Sequence, residues 1–163
     1  MTSSLITISE GLTETGANTF TSEKVDLQLN PLDNEVFVVY AVNIDSRPPD
    51  NVRGLATLTT ASVSTTARTT VGSIADNNVI ASQNMECINI DDTCAVSYEF
   101  SAGDTPSSLL PYVGIIATND FFINLAGVGN TNAKSTAVRV YGVRAKAEAS
   151  IYAALVQSEL LSA

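Results

Sequence analysis

The sequence predicts an all-β fold: a two-sheet antiparallel sandwich of jelly-roll type, finished by a short C-terminal helix or apolar tail. Three observations point there. Short runs of β-branched and aromatic residues recur between clusters of Gly, Pro, Asn, Asp and Ser, with no helical crossover between them. Two runs, at 36–44 and 112–117, are apolar on both parities, as in strands covered on both sides. Charged residues make up only 15% of the 163 residues, against roughly 25% in an ordinary globular domain. Thr, Ser and Asn take their place, which suits strands and turns.

In chain order, residues 4–8 (SLITI) read as an edge strand and 11–18 (GLTETGAN) as a turn-rich connector. In 20–29, Val25, Leu27 and Leu29 alternate with Lys24, Asp26 and Gln28, the pattern of a half-buried strand. Phe20 is out of phase, so a bulge is expected near Ser22-Glu23. Asn30-Pro31 ends the run, because Pro has no N–H for a ladder. The central strand is Asn34 to Asp45, NEVFVVYAVNID, with Val36, Val38, Tyr40, Val42 and Ile44 on one parity and Phe37, Val39 and Ala41 on the other.

Residues 45–51 (DSRPPDN) form a loop fixed by two prolines. Thr-rich 55–66 is extended, since so many β-branched and hydroxyl side chains disfavour a helix. Residues 73–78 are a turn, and 79–83 a brief strand. Residues 85–90 and 93–100 form a hairpin about Asp91-Asp92. With a two-residue loop, Cys87 faces Val96 and Asn89 faces Cys94. Cys87 and Cys94 are then diagonal neighbours about 7–8 Å apart, beyond normal disulfide reach. Two buried free thiols are the expectation, and a disulfide the alternative.

Residues 101–108 are a loop. The run 109–118 lies deep in a sheet and pairs from Tyr112, after Pro111. Phe121 to Ala126 pairs back across an Asn119-Asp120 turn, and 127–134 (GVGNTNAK) is a loop tip. In the last long strand, 135–148, the inward set changes from Val138 and Val140 to Val143 and Ala145, which a bulge at Gly142-Val143 explains. Ser150 is placed to cap a final helix over 150–161. Its apolar residues, Ile151, Tyr152, Leu155, Val156, Leu160 and Leu161, cover more than half the circumference. Such a helix is marginal alone in water. Burying five large side chains contributes on the order of 8–15 kcal/mol before ordering costs. The tail therefore docks on its own domain or on a neighbouring subunit. Residues 1–163 are read as one sandwich domain, with 149–163 as the segment for subunit contacts. The candidate contact residues are Ile151, Tyr152, Leu155, Val156 and Leu160.

Charge and composition narrow the chemistry. Eight basic and seventeen acidic residues give a net charge of −9, so phosphate repels the chain and specific nucleic-acid binding is not expected. Arg139, Arg144 and Lys146 are the sole local basic cluster, read as a solvated strand face. With no histidine, Ser-His-Asp and Cys-His catalysis and His-ligated metals are excluded. GVGNTN lacks the lysine of a phosphate loop and does not open a helix. The carboxylate pairs Asp91-Asp92, Asp45 with Asp50, and Glu99 with Asp104 read as turn residues. Asp33-Asn34-Glu35 and Asn89-Asp91-Asp92 offer oxygen ligands for Ca²⁺ without EF-hand spacing. Tyr40, Tyr98, Tyr112, Tyr141 and Tyr152 are dispersed and read as core or interface residues. No cofactor and no enzymatic activity are expected. The first residues, MTSSLITISEGL, carry no basic leader, and no run is long and apolar enough to span a membrane.

Strands such as EVFVVYAVNI and STAVRVYGVRAKAE, with the tail IYAALVQSELLSA, give a chain that resembles the single jelly-roll coat proteins of icosahedral viruses and small structural proteins of marine phages. The resemblance covers most of the chain and implies a self-assembling shell subunit with no active site. It implies many copies contacting one another, other virion proteins as further partners, synthesis in a host cytoplasm and residence in the virion. Many such coats carry a basic N-terminal arm, whereas MTSSLITISEGLTET is acidic. A shell decoration protein is a variant of this reading. A receptor- or glycan-binding sandwich using loops 45–54, 101–108 and 127–134 is the alternative, and a carboxylate-based hydrolase ranks last.

Overall fold

The structure, a computed structural model, describes residues 3–91, 94–102 and 110–162. Among the described residues, nine strands form two antiparallel sheets. The first has the order β1 (Ile6–Thr13), β9 (Ser135–Lys146), β3 (Glu35–Ser46), β7 (Gly114–Ile116). The second has the order β2 (Thr21–Asp26), β8 (Asp120–Val128), β4 (Ala56–Ser64), β5 (Val79–Asp91), β6 (Cys94–Ala102). The α-helix α1 (Ala149–Leu161) follows β9.

The pairing defines a jelly roll. β1 pairs with β9, β2 with β8, β3 with β7 and β4 with β5, all antiparallel. That is one long antiparallel ribbon rolled up, its successive pairs falling alternately into the two sheets. The β3–β9 and β4–β8 ladders join the pairs within each sheet, and β6 extends the second sheet as an added edge.

The core lies between the sheets. Phe37, Val39, Val42, Ile44, Val138 and Val140 come from the first sheet. Ala61, Val63, Phe121, Ile123 and Leu125 come from the second. The two-parity run in β3 has a local cause. The β3–β9 register slips at Tyr40, between Val39↔Gly142 and Ala41↔Tyr141. Before that bulge Phe37 and Val39 point inward. After it Val42 and Ile44 do. Fully covered side chains therefore stand on both parities of one strand.

Several expectations are corrected. The bulge expected at Gly142-Val143 is in β3 instead, directly opposite. β9 continues in phase, and Val143 is a buried residue of the outward parity, paired with Val38. Gly142 leaves room for the partner strand: a Cβ there would lie 2.5 Å from the Val38 carbonyl oxygen and 2.6–2.7 Å from the Phe37 ring. The run at 109–118 is not deep in a sheet. β7 has three residues and forms an edge, although Ile116 and Ala117 are buried against the core. β8 does not pair back onto β7 but crosses to the other sheet. β1 is the expected edge strand but runs on to Thr13, into the expected connector.

β2 pairs with β8 from Thr21 to Asp26 with no register shift, so the bulge near Ser22-Glu23 is not formed. Residues 79–91 make one continuous strand rather than two. The β5–β6 hairpin carries an extra residue between Asn89 and Asp91, so Cys87 pairs with Ser97 instead of Val96 and Asn89 with Ala95 instead of Cys94. Cys87 is a buried free thiol. Asp92, Thr93 and residues 103–109, including most of the expected 101–108 loop, lie outside the described residues.

Candidate functional site

Two features stand apart from the core: the C-terminal helix, and a polar cluster that ties together loops of the sandwich.

The helix begins at Ala149 with Glu148 as its N-cap and no side-chain cap bond. The cap expected at Ser150 therefore lies two residues too late, and Ser150 is inside the helix. Apolar residues occur all round α1 rather than on one stripe. A helix of that kind is ordinarily buried on every side. Here the sole buried residue is Glu159. Its two carboxylate oxygens accept the backbone N–H groups of Ala117 (2.8 Å) and Thr118 (3.0 Å), just past the end of β7. Both donors lie beyond the last residue of the edge strand, so the carboxylate satisfies two N–H groups that the ladder does not reach.

Of the expected contact residues, Tyr152, Leu155 and Val156 are half-buried, while Ile151 and Leu160 are 53% and 64% exposed. Tyr152 and Val156 face a cleft with Leu29, Pro31, Ala117, Thr118, Asn119 and Asp120. On the neighbouring flank, Tyr152, Ala153, Val156, Gln157, Leu160 and Leu161 line a shallow groove of about 550 Å³. Leu161 is 78% exposed, and Leu32, next to Pro31 of the cleft, is 92% exposed. The helix is thus held to its own domain by one edge and presents the rest. Sequence reasoning missed Glu159, whose signal is that it is the one charged residue in ASIYAALVQSELL.

The polar cluster joins three segments. Asp50 forms an ion pair with Lys134, whose side chain is 7% exposed. The other Asp50 oxygen accepts from the Thr131 N–H (3.0 Å) and hydroxyl (2.9 Å) and from the Asn132 N–H (2.9 Å). The Lys134 ammonium, with the Asn132 N–H and the Thr131 hydroxyl, holds the Asp50 carboxyl far below the ordinary carboxylate range, against an opposing effect of burial. Buried Glu14 accepts the N–H groups of Gly127 (2.6 Å) and Lys134 (2.7 Å). Buried Asn130 accepts the Asp50 N–H (2.8 Å) and donates to the Leu58 carbonyl (2.7 Å), while exchanging two bonds with Asn18. Loops 45–54 and 127–134 therefore do come together, with 14–18 as an unforeseen third member. Their polar groups are turned on one another.

Among the described residues, the other candidates do not converge. Asp33 meets Lys146 and the Asn30 amide, and Glu35 accepts the Asn30 N–H. Those carboxylates are engaged by donors rather than arranged around a cation. Among the described residues no group of three or more His, Cys, Asp or Glu is placed to hold a metal ion. Arg139 bonds Ser9 on the outer face, Arg144 reaches the Leu27 carbonyl and Lys146 pairs with Asp33, so the basic cluster is dispersed. Tyr40 and Tyr112 are exposed, and Tyr141 and Tyr152 half-buried, so none of these four is a core residue. Glu99 belongs to β6 rather than a turn, and Asp92 and Asp104 are outside the described residues. No described helix is long and apolar enough to cross a membrane.

Neither a protein-family model nor a curated protein sequence matches the chain. Among solved structures, the chain is similar to the tailspike protein gp49 of Acinetobacter baumannii bacteriophage Fri1, a capsular polysaccharide depolymerase. The identity is 11% and the TM-score 0.19, over 74% of this chain and 19% of that one. This chain therefore spans about a fifth of the tailspike's length, and at that TM-score the likeness carries no argument.

Proposed function

We propose that this protein is a structural subunit of a virion shell, a coat-type protein that assembles with copies of itself through symmetric contacts and performs no catalysis. The observation that carries the reading is α1: a helix apolar on all sides, anchored by Glu159, with Leu160 and Leu161 left in water. A surface of that kind on a folded domain marks a contact site. The jelly roll supports the virion part by analogy only, since the same fold serves capsid, lectin and cupin proteins. A net charge of −9 fits a subunit that contacts protein rather than packaged nucleic acid. Other virion proteins are compatible partners, and a decoration protein seated on another shell is a variant.

Negative-stain electron microscopy of the purified full chain tests this. Closed shells, rings or regular capsomers are the expected result. Featureless single particles of about monomer size at every concentration and salt condition would overturn it. A glycan- or receptor-binding module would instead use loops 45–54, 127–134 and 101–108, the last mostly outside the described residues. The polar groups of the first two loops bond one another, which weighs against that reading.

A further inference from the structure

We infer that the exposed flank of α1 receives the same flank of α1 from a second copy, the two helices lying antiparallel about a two-fold axis near Val156 and Gln157. The inference rests on the self-association half of the reading above and names its partner surface.

Charge selects the occupant. At −9, two copies repel over most of their surface. Between Ala149 and Leu161 the one charged side chain is Glu159, and it is turned into its own domain against Ala117 and Thr118. The flank is thus a neutral apolar strip on an acidic protein, and nothing on it attracts a charged ligand.

The spacing is self-complementary. Tyr152, Val156 and Leu160 recur every four residues, one ridge of a helix, with Ala153, Gln157 and Leu161 beside them. An antiparallel two-fold centred between 156 and 157 sets Ala153 opposite Leu160, which lie seven residues apart and so on one face of the helix. The contact is made twice, Ala153 to Leu160 and Leu160 to Ala153, as an isologous interface requires. The small Ala153 leaves space for the large Leu160.

Area sets the strength. Thirteen residues make a strip about 20 Å long on a helix about 10–12 Å across. The strip offers on the order of 300 Å² per copy, well short of the roughly 800 Å² of a stable interface. Helix pairing alone is therefore weak and concentration-dependent, and gains strength only where other contacts of an assembly act with it.

The test uses the full chain with a short bis-maleimide cross-linker. Gln157→Cys on the flank is compared with Ser73→Cys, an exposed position on the 73–78 turn, with wild type as the background for Cys87 and Cys94. Sedimentation equilibrium then compares wild type with Leu160→Glu. Expected are dimers from Gln157→Cys at least tenfold faster than from Ser73→Cys, and at least tenfold weaker self-association of Leu160→Glu with an unchanged circular dichroism spectrum. Equal cross-linking rates at the two sites, or unaltered association of Leu160→Glu, would overturn the pairing. Shells seen by microscopy together with equal cross-linking rates would reject the helix pair and leave the shell reading standing. Fast cross-linking with no shells at any concentration would do the reverse.

Discussion

Glu159 reaches from the last turn of α1 to the N–H of Ala117, 2.8 Å away, and this carboxylate is the one buried group through which the helix holds its own domain. Removing it should loosen the helix and leave the sandwich intact. Glu159→Ala loses two charge-assisted bonds, each worth roughly 1.5–3 kcal/mol. Amide hydrogen exchange across 149–161 should quicken by about a hundredfold or more, with protection in β4 and β8 unchanged. Glu159→Gln should fall between, because its amide oxygen keeps one acceptor.

Gly142 should not tolerate a side chain. The Cβ of Gly142→Ala would meet the Val38 carbonyl oxygen at 2.5 Å and the Phe37 ring at 2.6–2.7 Å. Phe37 is buried at the centre of the core, so the overlap is relieved only by shifting a packed ring or strand. The expected loss is roughly 1–3 kcal/mol, measured as a lower urea midpoint at unchanged slope. Phe37→Leu in the Gly142→Ala background should cost less than Phe37→Leu alone, because the smaller residue vacates the contested space.

The Asp50–Lys134 pair predicts a pH dependence of definite sign. The Asp50 carboxyl titrates in the folded protein far below its unfolded value of about 3.9. A depressed carboxyl stabilises the fold fully above the unfolded value, and loses that contribution as pH falls towards the folded one. The stability difference between wild type and Asp50→Asn should therefore be constant from pH 5 to pH 8. It should narrow steadily below about pH 4. Thermal denaturation of both proteins across that range checks this. A difference that narrows near neutral pH would show that the pair does not stabilise the fold in this way.

Asn130 should be a second point of failure in the loop cluster. Asn130→Ala leaves the Leu58 carbonyl and the Asp50 N–H without their partner. Both groups are part-buried, so the cost falls below the roughly 1–3 kcal/mol of a fully buried group left unsatisfied, and exchange at 45–54 and 127–134 should rise together.

Much of the roll was legible in the residues. The strands β3, β4, β8 and β9 follow from their runs of β-branched side chains, and the helix from the run of apolar residues over 150–161. The parity switch was also visible, but its place was not. Two paired strands share one slip, and the apolar pattern does not say which of them carries the extra residue. Gly142 suggested β9, whereas the glycine instead makes room for Phe37 beside a bulge at Tyr40. The run at 109–118 reads as a deep strand because 112–117 is apolar on both parities, yet β7 is a three-residue edge. Burial by a core and burial between two strands leave the same trace in a short run.

The candidate site was half legible. Ile151, Tyr152, Leu155, Val156 and Leu160 do form the helix, but the acceptor that fixes it, Glu159, looks in sequence like an ordinary solvent-facing residue. The Glu14–Asn130–Asp50–Lys134 cluster depends on contacts between residues up to 120 positions apart, and no local pattern encodes them.

An apolar helix presented on a folded jelly roll should be covered by other copies of the chain. Sedimentation velocity of the full chain, from low micromolar to the highest soluble concentration, reads this without labels or variants. Species many times heavier than the 17.1 kDa chain are expected, growing with concentration and reduced by Leu160→Glu. A single boundary at the monomer mass over the whole range would contradict such covering.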